Sequence, residues 1–283
     1  MEGEEEDLDE KMIIKCNNYN KLNTKKKIGI IIIVSLIIIF IILISILIIK
    51  LSLSKDENEA PTPKNQNLYF EPSSGVHTHT IIFMPGLTNT PEDFVNVLTK
   101  KISISKRNTT KVVLLRTPLQ NVTALNGTKN YSWFDIYSSP VGSRNDYNFT
   151  QIKAASKILS QVIQEEVALL DGKYDKIILG GHSQGAIVSM YTSYTKEYML
   201  GGVFSFSGFL PPHEEILQNK EKLNVYFGFG DADYIINPEF FSETIKDIKD
   251  NEGFKLYIYP NHTHYVCRKE ITDVSIFLDK IME

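Results

Sequence analysis

Cysteine is nearly absent from the 283 residues: Cys16 and Cys267 are the only two, and a long apolar run separates them. The part after that run holds a single thiol, so a disulfide within it is excluded and its fold must rest on a packed core. A basic excess is missing as well. The formal balance is −4, which leaves no broad cationic surface for nucleic acid. No internal repeat is visible, so a stacked-repeat architecture is not indicated. With 42% apolar and 23% charged residues, the chain has enough material for one large globular core.

Charge is missing altogether from Ile28 to Ile49, where only Ile, Leu, Val, Phe, Gly and two serines occur. At about 1.5 Å per residue this run reaches roughly 33 Å, enough for a bilayer core. A buried soluble element rarely stays apolar on every face for so long. A cleaved signal peptide would have an apolar core of roughly 7 to 15 residues followed by small residues, whereas this run leads into KLSLSKDENE. The pattern predicts one uncleaved transmembrane signal anchor over 28–49. Lys11, Lys15, Lys21, Lys25, Lys26 and Lys27 precede it, against Lys50, Lys55 and Lys64 after it, so residues 1–27 are expected to be a cytoplasmic tail. The rest then lies in the lumen or outside the cell, as in a single-pass type II membrane protein. The acidic head MEGEEEDLDE reads as a solvated tail, and Cys16 as a juxtamembrane cysteine, either plain or palmitoylated. Residues 50–75 are polar and proline-containing and read as a stem, leaving 76–283 as the folded domain. Six N-x-[ST] sequons begin at Asn108, Asn121, Asn126, Asn130, Asn148 and Asn261, none before the apolar run, and are candidate glycosylation sites.

Within the domain, THTIIFM, KVVLLR, KIILGG, GGVFSFSG, LNVYFGFG and FKLYIYP are short β-rich runs bounded by Gly, Pro or charge. Helical patterns fall at roughly 91–101, 150–170, 185–198, 238–250 and 269–282. In the longest, Ile152, Ala155, Ile158, Leu159, Val162, Ile163, Val167 and Leu170 share one face. Strands alternating with helices predict an α/β fold, a mostly parallel sheet with helices on both faces. Ligands gather at the carboxyl ends of such strands. Ser183, Asp231, Asp233, His262 and His264 all follow predicted strands.

GGHSQG turns a strand into a helix, in the G-x-S-x-G pattern that lifts Ser183 above the sheet. A serine hydroxyl attacks only when an imidazole takes its proton and a carboxylate fixes the imidazole's tautomer. Ser183, Asp233 and His264 stand in the order Ser, acid, His that this strand–turn–helix arrangement uses. Asp231 is the other carboxylate available and is read as supporting the turn. His182 sits within the elbow, so its side chain diverges from Ser183 and reads as structural. His262 lies inside a sequon, His77 and His79 at the domain's leading edge, and His213 in a PPHEE loop. Two amides are candidates for holding the oxyanion: Gln184 N–H, next to the nucleophile, and Leu87 N–H, after Pro85-Gly86 at the end of the first strand.

IIFMPGLTNT, RTPLQNVTALNG followed by SWFDI, GGHSQGAIVSMYT, VFSFSGFLP, GDADYIINP and YPNHTHYVCRKEITDVSIFLDKI resemble, in that order, segments of the acyl-protein thioesterase family, also called the phospholipase/carboxylesterase family of α/β-hydrolases. The likeness covers about residues 77 to 283. It implies an α/β-hydrolase fold, here preceded by one transmembrane helix, with Ser183, Asp233 and His264 as the triad and Leu87 and Gln184 as oxyanion donors. It also implies that Trp133 borders an acyl-binding channel; plain core packing is the other reading of that residue. Family members hydrolyse thioesters of palmitoylated proteins, lysophospholipids or small carboxylic esters without a metal or other cofactor. The expected partners are therefore an acyl ester or thioester substrate, on a lipid or an acylated protein, and a membrane through residues 28–49. Nothing in the sequence sets an oligomeric state. Two departures stand out: the family usually reads HGxGD where this chain has Pro85-Gly86-Leu87-Thr88-Asn89, and its familiar members are soluble and cytosolic. An inactive hydrolase-like glycoprotein serving as a lipid-binding or interaction module is the alternative, and the PGLTN loop is its support.

Overall fold

The computed structural model describes residues 66–141, 143, 146–212 and 220–283. The expected tail, the apolar run 28–49, Cys16, most of the stem and His213 lie outside the described residues. Among the described residues no helix is long and apolar enough to cross a membrane.

The six β-rich runs of the sequence form β2 (His79–Met84), β3 (Thr110–Leu114), β6 (Ile177–His182), β7 (Gly202–Phe206), β8 (Val225–Gly230) and β9 (Phe254–Tyr259). They lie parallel in the order β3-β2-β6-β7-β8-β9. β1 (Leu68–Phe70) adds an antiparallel edge strand, with Tyr69 opposite Val113. That strand corrects the boundary expected at 76, because the segment read as stem already contributes to the sheet from residue 68. β4 (Leu119–Val122) and β5 (Thr128–Tyr131) make a separate antiparallel hairpin.

Side chains along a strand alternate between faces, and both faces of this sheet are covered from β3 to β8, while the edge strand β9 leaves Leu256 and Ile258 exposed. Ile82, Met84, Val113, Leu179 and Phe227 pack on one side with α2 (Phe149–Ala168), α3 (Gln184–Thr195) and α4 (Pro238–Ile248). Ile81, Phe83, Val112, Ile178 and Phe204 pack on the other with α1 (Glu92–Asn96) and α5 (Arg268–Ile281). α3 is buried on every face from Gln184 to Tyr194, since it lies against the sheet on one side and α2 on the other. On α2 the predicted apolar face is buried except for Ile158, which is 45% exposed. Glu166 is buried in its stead, paired to Lys111 on β3 at 2.9 Å and accepting from Thr80 on β2 at 3.1 Å. A buried carboxylate is tolerated there because it is both paired and hydrogen-bonded.

Candidate active site

β6 runs straight into Ser183, and α3 begins at the next residue. Ser183 takes φ 52° and ψ −120°, a region an L-residue enters only under strain. Its N–H donates to Phe206 O at 2.9 Å and its carbonyl accepts from Ile187 N at 3.0 Å, so the turn is pinned from both sides. The flanking glycines have a different role from the one their permissiveness suggests. Neither adopts a positive φ. A side chain on Gly185 would run into the Met84 carbonyl, and one on Gly181 into the backbone of α3. The elbow needs close approach at the glycines and places the strain on the serine.

Asp233 and His264 come from the loops after β8 and β9. His264 Nδ1 lies 2.7 Å from Asp233 Oδ2, with Asp233 almost wholly buried. The other carboxylate oxygen accepts from Ile235 N at 2.9 Å and Ile236 N at 3.0 Å. With Asp233 as acceptor, Nδ1 carries the proton and Nε2 keeps its lone pair. Gly230 lets the two loops meet, because a Cβ there would collide with the His262 carbonyl. Asp231 is exposed and accepts from Asn261 N at 2.6 Å, bracing the turn that carries the histidine. His262 donates to Tyr265 O at 2.6 Å, and His77 and His79 bond to Thr80 and Thr78 at the other end of the sheet.

Ser183, His264, Leu87 and Gln184 line one cavity of about 250 Å³. Its walls include Leu125, Phe134, Ile136, Tyr147, Phe209 and Ile236, and no Lys, Arg, Asp or Glu among the described residues. Such a wall suits an uncharged, apolar group. No group of three or more His, Cys, Asp or Glu among the described residues could hold a metal ion.

The loop after β2 is fixed by its neighbours. Thr88 N–H donates to Tyr131 O at 2.8 Å and Asn89 N–H to Gly86 O at 3.2 Å, while Leu87 N–H makes no such loop bond among the described residues. Gln184 opens a helix, where the first amides lack an intrahelical acceptor. Its side chain clamps the 132–134 segment, accepting from Trp133 N at 3.0 Å and donating to Phe134 O at 2.8 Å. Trp133 is buried and its indole N–H donates to Pro85 O at 2.8 Å. Elbow, Trp133 segment and PGL loop are thus tied in series. The residue of that segment lining the cavity is Phe134 rather than Trp133.

Thr88 has φ 66°, the left-handed region that costs a side-chain-bearing residue about 1–2 kcal/mol. It stands where the family pattern has its second glycine. Thr88→Gly is expected to raise stability by up to about 1 kcal/mol, the relief of strain being offset by unfolded-state entropy. Turnover should stay similar or fall a few-fold through added flexibility. Melting curves and kcat measured together check this, and a large gain in turnover would show the native loop to be misaimed.

A family model described as Phospholipase/Carboxylesterase matches residues 65–282. An acyl-protein thioesterase 1 of Debaryomyces hansenii is 32% identical over 72% of this chain and 91% of its own length. An acyl-protein thioesterase 1 homolog 1 of Dictyostelium discoideum is 29% identical over 77% and 96%. The fold recurs in crystal structures of Arabidopsis thaliana SOBER1, with TM-score 0.66 and 19% identity over 73% of this chain and 100% of that one. It recurs too in Zea mays acyl-protein thioesterase 2, with TM-score 0.61 and 19% identity over 77% and 100%. By the match of the family model across the described domain, this chain belongs to the phospholipase/carboxylesterase family of α/β-hydrolases.

Proposed function

We propose that the protein is a serine hydrolase that cleaves acyl esters or thioesters through an acyl-enzyme, and that it works from a membrane anchor. The observation that carries the chemistry is the Asp233–His264 hydrogen bond opening onto the same apolar cavity as the strained Ser183. His264 Nε2 takes the proton as Ser183 Oγ attacks the acyl carbonyl carbon. Leu87 N–H and Gln184 N–H receive the oxyanion of the tetrahedral intermediate. Its collapse breaks the C–S or C–O bond, and His264 returns the proton to the departing sulfur or oxygen. Water, deprotonated by the same imidazole, then releases the carboxylic acid and frees Ser183.

Two features support the anchored reading. The apolar run 28–49 is flanked by more lysine before than after it. Four of the six sequon asparagines, Asn108, Asn121, Asn126 and Asn261, are exposed. Asn130 is half-buried, and Asn148 caps α2 by accepting from Gln151 N at 3.2 Å. A lumenal or extracellular domain would not meet cytosolic palmitoylated cysteines, so its acyl donors are lipids or proteins on the far side of the membrane.

The test uses the full chain in membranes. A fluorophosphonate probe should label it, and a chain-length series of thioesters and p-nitrophenyl esters should be hydrolysed. Absence of both would return the protein to the inactive-module class. Protease should spare the domain in intact microsomes, and a glycosidase should shift the extracted protein. Digestion without detergent would overturn the orientation while leaving the chemistry in place.

A further inference from the structure

His182 lies between the parts of the site and is only 6% exposed. Its Nε2 is 3.0 Å from the backbone carbonyl of His264. A carbonyl only accepts, so Nε2 carries the proton and donates it. The two imidazole centroids are 5.1 Å apart, and the Phe94 ring packs at 5.6 Å on the His182 ring. Nδ1 is buried and has no hydrogen-bond partner among the described residues. It faces the oxyanion loop, since a Cβ on Gly86 would come within 2.8 Å of it. One ring therefore bears on three elements: the elbow through its own backbone, the His264 loop through a hydrogen bond, and the Leu87 loop through contact.

We infer that His182 is a positioning residue of the active site, whose Nε2–H fixes the His264 main chain relative to the nucleophile elbow. This rests on the reading of Ser183 and His264 as nucleophile and base. Asp233 anchors the His264 side chain at Nδ1, and Asp231 and Ala232 brace the turn before it through Asn261 N and the His262 carbonyl. His182 adds the tie from the elbow to the His264 peptide itself. Placement matters at this level, because a shift of about 1 Å in a catalytic group can cost roughly a hundredfold in rate.

The surroundings hold the ring neutral. A cationic His182 would bury an Nδ1–H with no acceptor and set a second positive charge against the imidazolium that forms on His264. Burial first, and then the neighbouring His264, hold its pKa down to about 4, against the opposing pull of the His264 carbonyl and Asp233. Among the described residues His264 and Asp233 are the titratable groups facing it; Phe94 and Gly86 contribute none. Above roughly pH 5, therefore, Nδ1 stays bare beside the oxyanion loop, while Nε2 donates to the carbonyl in either state.

His182→Phe keeps a ring against Phe94 and removes the donor, whereas His182→Gln offers an amide N–H toward the same carbonyl. The phenylalanine variant is expected to lose about tenfold or more in kcat, with KM nearly unchanged, little change in melting temperature and a parallel loss in fluorophosphonate labelling rate. The glutamine variant should recover a measurable part of both rates. Retention of full kcat in His182→Phe would overturn the inference. So would equal losses in both variants that follow a lowered melting temperature, since packing alone would explain them. Ser183→Ala is the control for the underlying reading: labelling that survives there would remove the nucleophile assignment itself, whatever His182 does.

Discussion

Ser183→Ala is expected to bring hydrolysis and fluorophosphonate labelling to background, and Asp233→Asn to lower kcat on the order of 10³- to 10⁴-fold without unfolding the domain. The asparagine can keep one oxygen toward the amides of Ile235 and Ile236, which donate to Asp233 Oδ1 at 2.9 and 3.0 Å. Its NH₂ then faces His264 Nδ1, in place of the acceptor now at 2.7 Å. An imidazole meeting a donor at Nδ1 moves its proton to Nε2, and a protonated Nε2 cannot take the proton of Ser183. The fold survives while the base is lost. Asp231→Asn is the matched control, because its oxygen can still accept from Asn261 N, bonded at 2.6 Å in the parent. Parental kcat in Asp231→Asn beside collapse in Asp233→Asn is the expected pattern; the reverse would reassign the carboxylate.

Most strands and helices that carry the site could be read from their apolar residues because they contribute a long buried face; β9, which precedes His264, is an edge strand buried only at Tyr259 and was marked by its β-rich composition. β2, β6 and β8 are buried at every position, and continuous apolar runs are what a doubly covered sheet demands. The edges gave weaker signals. β1 is three residues, Leu68 to Phe70, within a polar, proline-containing stretch, too short for any period. β4 and β5 are mostly exposed and polar, so no alternation marks them. Their turn was visible in principle. Asn126-Gly127, with φ of 56° and 70°, is a strong short-range hairpin signal.

At the site, residues whose chemistry lies in the side chain were legible, and those acting through backbone partners were not. Ser183, Asp233 and His264 announce themselves by type, order and position at strand ends. His182 and Trp133 do not, since their partners are the carbonyls of His264 and Pro85, 82 and 48 residues away. A main-chain oxygen has no letter in a sequence, and only the fold brings it within reach. The same holds for Thr88, whose positive φ is set by the loop's attachment to Tyr131.

Gly86→Ala is expected to lower kcat by about a hundred- to a thousand-fold, the worth of one well-aimed oxyanion donor. Gly86 has no positive φ, so the added methyl brings no backbone strain of that kind. The effect comes from space. The new Cβ would lie 2.8 Å from His182 Nδ1, 3.1 Å from Ser183 Cβ and 3.2 Å from Asn89 Oδ1. The first two cannot retreat easily. His182 is held by the His264 carbonyl at 3.0 Å, and Ser183 is pinned by its bond to Phe206 O at 2.9 Å. The loop must therefore move, and Leu87 N–H is the next group along it. Overpacking of this kind costs typically 1–3 kcal/mol of stability, so the melting temperature should drop modestly while the domain remains folded. Because the donor acts on charge that develops only in the transition state, kcat should fall with KM little altered, and probe labelling should slow in step. A Gly86→Ala protein that keeps kcat within about threefold of the parent would mean that the oxyanion is held elsewhere than at Leu87.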